Sequence, residues 1–286
     1  MRDHALFGPG GNSESFYAAG YKSTVEAPAF LAGLGLEAYE FEAGNGLNVG
    51  EKTLRAIGDE AKKHGIALSL HTPYFISLSG IDPEKRLKSV SYIERSLFAA
   101  ECLGATTIVV HCGSAAKISR AEAMSLAKDT LEKTLEAVGD TPIHIGLETM
   151  GKINQLGTLD EMLELCALDL HLYPVVDFGH LNARERGGLF PDRDSYRRVF
   201  DKVAARLGDE KARYMHCHFS KIEFTDAGEK RHLTFADGVY GPSFDPLAEA
   251  LVKDNLCPTI ICESAGTMAE DALFMQKAYR AAKGEL

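Results

Sequence analysis

The sequence predicts an α/β fold, a single-domain (β/α)8 TIM barrel spanning residues 1–286, and three observations carry that expectation. Eight apolar segments of strand length recur along the chain, stretches with helical starts separate them, and the composition shifts nowhere. Strict alternation of strand and helix in one uniform chain marks a parallel α/β domain. The strands are read at 4–8, 36–41, 67–71, 106–111, 143–148, 172–177, 213–218 and 258–263.

The first strand runs into Gly8-Pro9-Gly10-Gly11-Asn12-Ser13, which has neither the GxGxxG spacing of a dinucleotide fold nor the Lys-Ser/Thr of a phosphate loop. It reads as a loop over the top of the barrel. After the third strand, Asp82-Pro83 sets a capping residue before a proline at the first helical position. The fourth strand, with Thr107-Ile108-Val109-Val110, is the kind of continuous apolar run expected where helices cover one side and the barrel interior the other. Ser119-Arg120-Ala121-Glu122 and Thr158-Leu159-Asp160-Glu161 follow the fourth and fifth strands as capping boxes.

The bulk numbers exclude several classes. With 45% hydrophobic and 25% charged residues the composition is that of a soluble globular protein. No apolar run approaches the roughly 20 residues of a membrane helix. Met1-Arg2-Asp3-His4 lacks the apolar stretch of a signal peptide, so a cytoplasmic protein is expected. The six cysteines form no CxxC pair and read as reduced core residues. A net charge of −10 argues against broad, sequence-independent nucleic-acid binding, although a cation cluster can offset phosphate charge locally.

Function is concentrated at the strand ends. Five strands end on His71, His111, Glu148, Asp177 and Glu263, and His216 or His218 closes a sixth. In a parallel barrel the carboxyl ends of all strands meet on one face, so residues far apart in sequence can share a metal cluster. Imidazoles with carboxylates suit zinc, with manganese or iron as second choices. In Asp177-Phe178-Gly179-His180 the imidazole follows the carboxylate by one turn, so the two can serve neighbouring metals. Strand alternation sends His216 and His218 to one face and Cys217 to the other; His218 is favoured because it lies nearer the rim. Cys262 is likewise turned away from Glu263. His144 shares a face with Glu148 but lies four residues deeper and reads as structural, as do His64 and His171 at helix ends. Tyr74 and Phe75 at the loop after the third strand are aromatics positioned to stack on a substrate, with Arg184, Arg186, Lys221, Lys230 and Arg231 as rim cations for phosphate.

Several stretches resemble the endonuclease IV family, metal-dependent apurinic/apyrimidinic (AP) endonucleases among the xylose-isomerase-like barrels. They are His71-Thr72-Pro73-Tyr74-Phe75-Ile76-Ser77-Leu78, His111-Cys112-Gly113-Ser114, Gly146-Leu147-Glu148-Thr149, Val176-Asp177-Phe178-Gly179-His180, the stretch from Met215 to Lys221, Lys230-Arg231-His232 and Ile260-Ile261-Cys262-Glu263-Ser264. They run in family order over about residues 65 to 265. The resemblance implies two or three zinc ions, one on His71, His111 and Glu148 and a second on Glu148, Asp177, His218 and Glu263. His180 and His232 would take the third. It gives Glu148 and Glu263 a catalytic role, makes Tyr74 and Phe75 the side chains that enter DNA at the lesion, and implies incision of abasic double-stranded DNA on the 5′ side, with no membrane and no obligate protein partner.

Three departures mark a divergent member. Lys230 stands where the family has the aspartate of an Asp-Arg-His unit, and Glu229 can replace it by a one-residue shift. Strand seven carries two histidines where the family has one followed by Asn-Asp. The loop Glu42-Ala43-Gly44-Asn45-Gly46-Leu47-Asn48 has no arginine to enter the DNA stack. A sugar isomerase or epimerase of the same superfamily is the alternative; it needs a single metal and fewer ligands, and the acidic net charge suits it.

Overall fold

The computed structural model describes residues 2–285. Its strands are β1 (Leu6–Pro9), β2 (Ala38–Glu42), β3 (Ala67–His71), β4 (Thr107–His111), β5 (His144–Glu148), β6 (Leu172–Asp177), β7 (His216–Phe219), β8 (Ile222–Thr225), β9 (Gly228–His232) and β10 (Thr259–Cys262). Eight of them form one parallel sheet in the order β1-β10-β7-β6-β5-β4-β3-β2. The ends meet through a parallel bridge between Gly10 and Glu40, which nearly closes the (β/α)8 barrel. Closure depends on Gly8, because a Cβ there would lie 1.7 Å from the Ala38 carbonyl oxygen. The Gly8–Gly11 segment therefore belongs to the barrel wall at its start, rather than only looping over the top.

Local chemistry sets the boundaries. Asp82 accepts from the backbone amides of Glu84 and Lys85 at the head of helix Pro83–Leu103, and Gly104, at φ 69°, ends it. Thr158 and Glu161 form a complete capping box on helix Leu159–Cys166, whereas Ser119 supplies only its own half on helix Arg120–Val138. Ile108, Val109 and Val110 of β4 are fully buried, as their unbroken apolar run requires. Two expectations are corrected. Residues Asp209–Arg213 are helical, so β7 starts at His216 rather than at 213. The sequence also concealed an antiparallel hairpin, β8 and β9, hung from β7 over the carboxyl end of the barrel. Among the described residues no helix is long and apolar enough to cross a membrane.

Candidate metal centre

Each barrel strand delivers its last inward-pointing residue to the same rim, and in this chain those residues are ionisable. Register shows why they meet. His111 pairs with Glu148 across β4 and β5, Asp177 with His218 across β6 and β7, and Glu263 directly follows β10. Glu148 is the hub. Its Oε2 lies 3.1 Å from His111 Nε2 and 3.6 Å from His71 Nε2, and its Oε1 lies 3.0 Å from His218 Nδ1 and 3.4 Å from His180 Nδ1. Glu263 Oε1 approaches His218 Nδ1 at 3.3 Å, and Asp177 Oδ2 approaches His180 Nδ1 at 3.4 Å.

The tautomers of the outer rings follow from their other nitrogens. His71 Nδ1 donates to the Thr72 carbonyl at 2.9 Å and His180 Nδ1 to the Thr149 carbonyl at 2.9 Å, leaving both Nε2 lone pairs to the cleft. Such an outer partner fixes which nitrogen can bind a metal. Asp177 accepts the His180 amide at 2.6 Å, capping helix Phe178–Arg184, and so holds the imidazole one turn from the strand end. That helix packs against β7 only because residue 179 is glycine; a Cβ would come within 2.5 Å of the Ser220 carbonyl oxygen.

Buried and unsatisfied atoms test whether this is a cation site. Glu148 Oε2 and Asp177 Oδ2 are buried and lack any hydrogen-bond partner, a cost of about 1–3 kcal/mol or more for each group unless something else meets it. His71, His111 and Glu148 form one group whose ligand atoms lie within 4.8 Å of one another; Glu148, Asp177, His218 and Glu263 form a second, and His180, His232 and Glu263 a third. The donor set is nitrogen and oxygen, which fits zinc and the neighbouring divalent metals. Protonation agrees in part. Burial holds the His111 and His232 rings below the usual histidine range, hence neutral. Burial raises the Glu148 carboxyl, but the pull of His218, His111 and His180 outweighs it and keeps the group ionised. Burial, with Glu148 and Asp177 nearby, pushes the Glu263 carboxyl well up despite His218, the signature of more negative charge than the protein alone neutralises. The thiols contribute nothing: all six cysteines are free and buried, Cys112 donates to the Glu148 carbonyl, and burial pushes Cys262 up to about 12.

Hairpin β8–β9 supplies the outer wall. A β-bulge shifts the register between Glu223 and Phe224, pairing Glu223 with Arg231 and Phe224 with Glu229, so that Lys230 is the residue without a partner. Glu229 consequently faces inward, its Oε2 3.4 Å from His180 Nε2 and its Oε1 4.0 Å from His232 Nε2. Lys230 faces Glu223 at 2.6 Å instead.

The rings meet in a cleft of about 980 Å³. Tyr74, 55% exposed, lies over it, stacked on His111 at 5.5 Å with its hydroxyl 3.4 Å from Glu42 Oε2. Gly44 makes room for that ring, since a Cβ would meet it at 2.2 Å. Phe75, 54% exposed, is not among the lining residues and packs edge-on against Tyr92. The expected rim cations are mostly committed elsewhere. Arg184 donates to the carbonyls of Met150, Lys152, Ile153 and Gln155, Lys221 to those of Phe235 and Asp237, and Arg231 to Glu223. Among the described residues Lys152 is the one lysine or arginine lining the cleft, on the 150–155 loop that Arg184 clamps. Sequence reasoning missed Lys152, and it missed Glu40 and Glu42. The signal for the carboxylates was the alternation in Ala38-Tyr39-Glu40-Phe41-Glu42, which sends both to one face.

A family model described as xylose isomerase-like TIM barrel matches residues 28–278. An uncharacterized protein of Methanocaldococcus jannaschii is 31% identical over 254 residues, 87% of this chain and 89% of that protein. A probable endonuclease 4 of Acholeplasma laidlawii is 28% identical over 200 residues, 68% of this chain and 66% of that one. Among solved structures, endonuclease IV from Thermus thermophilus superposes with a TM-score of 0.67 at 20% identity, covering 92% of this chain and 95% of that one. The 3-keto-D-glucoside 4-epimerase from E. coli also reaches 0.67, at 17% identity, covering 98% and 99%. At these identities the structures speak for the fold alone.

Proposed function

The chain belongs to the xylose isomerase-like TIM-barrel family as a divergent relative of its endonuclease IV proteins, and from that premise we propose that it is a metal-dependent AP endonuclease. It would cleave the phosphodiester on the 5′ side of abasic sites in DNA during base-excision repair. The carrying observation is the surplus of ligands. A single-metal sugar epimerase would be served by Glu148, Asp177, His218 and Glu263 alone. Here His71 and His111 on one flank, and His180, His232 and Glu229 on the other, extend that quartet in two directions.

In this reading His71, His111 and Glu148 hold one ion, Glu148, Asp177, His218 and Glu263 a second, and His180, His232 and Glu229 a third. Zinc or a similar ion there would supply Lewis acidity, lowering the pKa of water towards neutrality and offsetting charge on a phosphodiester. The chain's own groups do the rest. Glu148 keeps four imidazoles aimed at one point, Thr72 and Thr149 hold the ring protons of His71 and His180 away from the cleft, and Tyr74 covers His111 against bulk water. Lys152 takes a substrate phosphate as a point charge. An abasic site suits such a cleft because no base pair and little stacking must be broken to admit the backbone.

The alternative, epimerisation of a small sugar on the inner quartet, is favoured by the acidic wall of Glu42, Glu229 and Glu263. A duplex carrying one stable abasic analogue separates the two. Chelator-sensitive cutting 5′ to the analogue is expected; a folded, zinc-loaded protein that leaves the duplex intact would transfer the assignment to the epimerase class.

A further inference from the structure

Beneath the rim lies a polar cluster that the endonuclease reading does not use. Glu40 sits midway along β2, 0% exposed, with its carboxylate inside the barrel. Ser69 Oγ donates to Glu40 Oε2 at 2.7 Å from β3, and His216 Nε2 meets the same oxygen at 2.9 Å from β7. The other oxygen, Oε1, lies 2.9 Å from His218 Nε2. Neither Oε1 nor that nitrogen has any other polar partner, and both are sealed from solvent.

The pairing constrains the proton on His218. A carboxylate oxygen facing an imidazole lone pair at 2.9 Å in a dry interior would be repelled, whereas one facing an N–H is attracted, and in low dielectric the difference is large. The proton therefore belongs on Nε2. His218 Nδ1 then carries the lone pair, and it is the atom that lies 3.0 Å from Glu148 Oε1 and 3.3 Å from Glu263 Oε1. We propose that Glu40 is a positioning residue for the metal centre: through the His218 Nε2–H it fixes the tautomer and ring orientation that present Nδ1 to the cation, while Ser69 and His216 hold the carboxylate in place. This rests on the metal-site reading above and goes beyond it. Glu40, His216 and His218 also meet within 4.8 Å of one another. Donation by Ser69 and His216 into Glu40 makes them a hydrogen-bonded anion and its donors rather than a separate cation site. The choice between the two strand-seven histidines follows: His218 serves the metal, and His216 serves Glu40.

The test measures zinc affinity, by competition with a chromophoric chelator, on the full chain. Glu40→Gln keeps the shape and an acceptor but removes the charge, and a 10- to 100-fold weaker affinity is expected, the usual effect of losing an outer partner of a ligand histidine. The same substitution in a His218→Ala background should produce no further loss. Long-range ¹H–¹⁵N spectra of the zinc-loaded protein should show His218 protonated at Nε2, a signature that a merely structural Glu40 would not set. Unchanged zinc affinity in Glu40→Gln, or a proton on Nδ1, overturns the proposal. Should Glu40→Gln not fold, Ser69→Ala withdraws one donor from the carboxylate and should weaken zinc several-fold; wild-type affinity there also overturns it. A wild-type chain that binds zinc but does not cut DNA refutes the endonuclease reading and leaves this one standing, whereas a chain that binds no zinc refutes both.

Discussion

The ten histidines divide between the two ends of the barrel, and the ends treat the same side chain in opposite ways. At the amino-terminal end His4 meets Asp3 and Glu37, His64 meets Glu60, and His171 meets Asp169 and Asp140. These rings are partly exposed, and carboxylates gather around single imidazoles. His144 stacks flat on Tyr173 at 3.4 Å between ring centres. At the carboxyl-terminal end the ratio inverts: four buried or nearly buried imidazoles gather around one carboxylate, Glu148. Strand β5 contains both situations, with His144 at its start and Glu148 at its end on the same face. Parity along a strand therefore tells nothing about chemistry; what decides it is how many other strands aim at the same point.

The hardest blow to this comparison is Glu148→Gln. It keeps the shape and removes the shared charge, and incision should fall by at least about 10³-fold, the scale of losing a group that stabilises transition-state charge. Retained cleavage in a folded variant would mean that the rings do not converge on a working site. Next in size is the count of metals. Elemental analysis should give more than two zinc per chain, with Glu229→Gln dropping the count by about one and Lys230→Ala leaving it intact; the reverse result would place the aspartate substitute at the wrong residue.

A smaller effect is expected at the cleft wall. Lys152→Gln should raise KM several-fold with kcat little changed and reduce the slope of log affinity against log salt by about one, the yield of a single phosphate contact. An unaltered slope would remove Lys152 from the substrate.

The smallest concerns the quiet end. Burial, helped by Lys211, His171 and His216, lowers His144 from 6.5 to about 4. The unfolded chain then binds this proton between pH 6.5 and 4 while the folded chain does not, so stability is full above that window and is lost as pH falls through it. Discounted for the ring's partial exposure, the term is about 1–2 kcal/mol. His144→Gln should flatten the acid limb of a urea-melt series by that amount. His171, raised chiefly by Asp169 and Asp140, carries the opposite sign: its contribution is present below its unfolded value and lost as pH rises through the folded one. A shared sign for the two variants would dissolve the distinction between a stacked neutral ring and a paired one.

Much of this was legible in the chain. Apolar runs that stop on His71, His111, Glu148, Asp177 and Glu263 announce both the barrel and its cation-binding rim, because strand length and side-chain alternation are local properties. The reduced cysteines and the helix starts at Asp82 and Thr158 are local in the same sense. What depended on three dimensions was depth and partnership. Alternation puts His216 and His218 on one face but does not say which reaches the rim; the pairing of Asp177 with His218 does. The bulge that leaves Lys230 unpaired and turns Glu229 inward exists only in the β8–β9 hairpin. Glu40 acquires its neighbours because curvature brings β2 across from β7, 176 residues away from His216 along the chain. Sequence by itself determined which ligands this protein owns and that they share a face. Only closure of the barrel decided which of them touch, since a contact across the interior depends on the sum of every twist and register between the two strands.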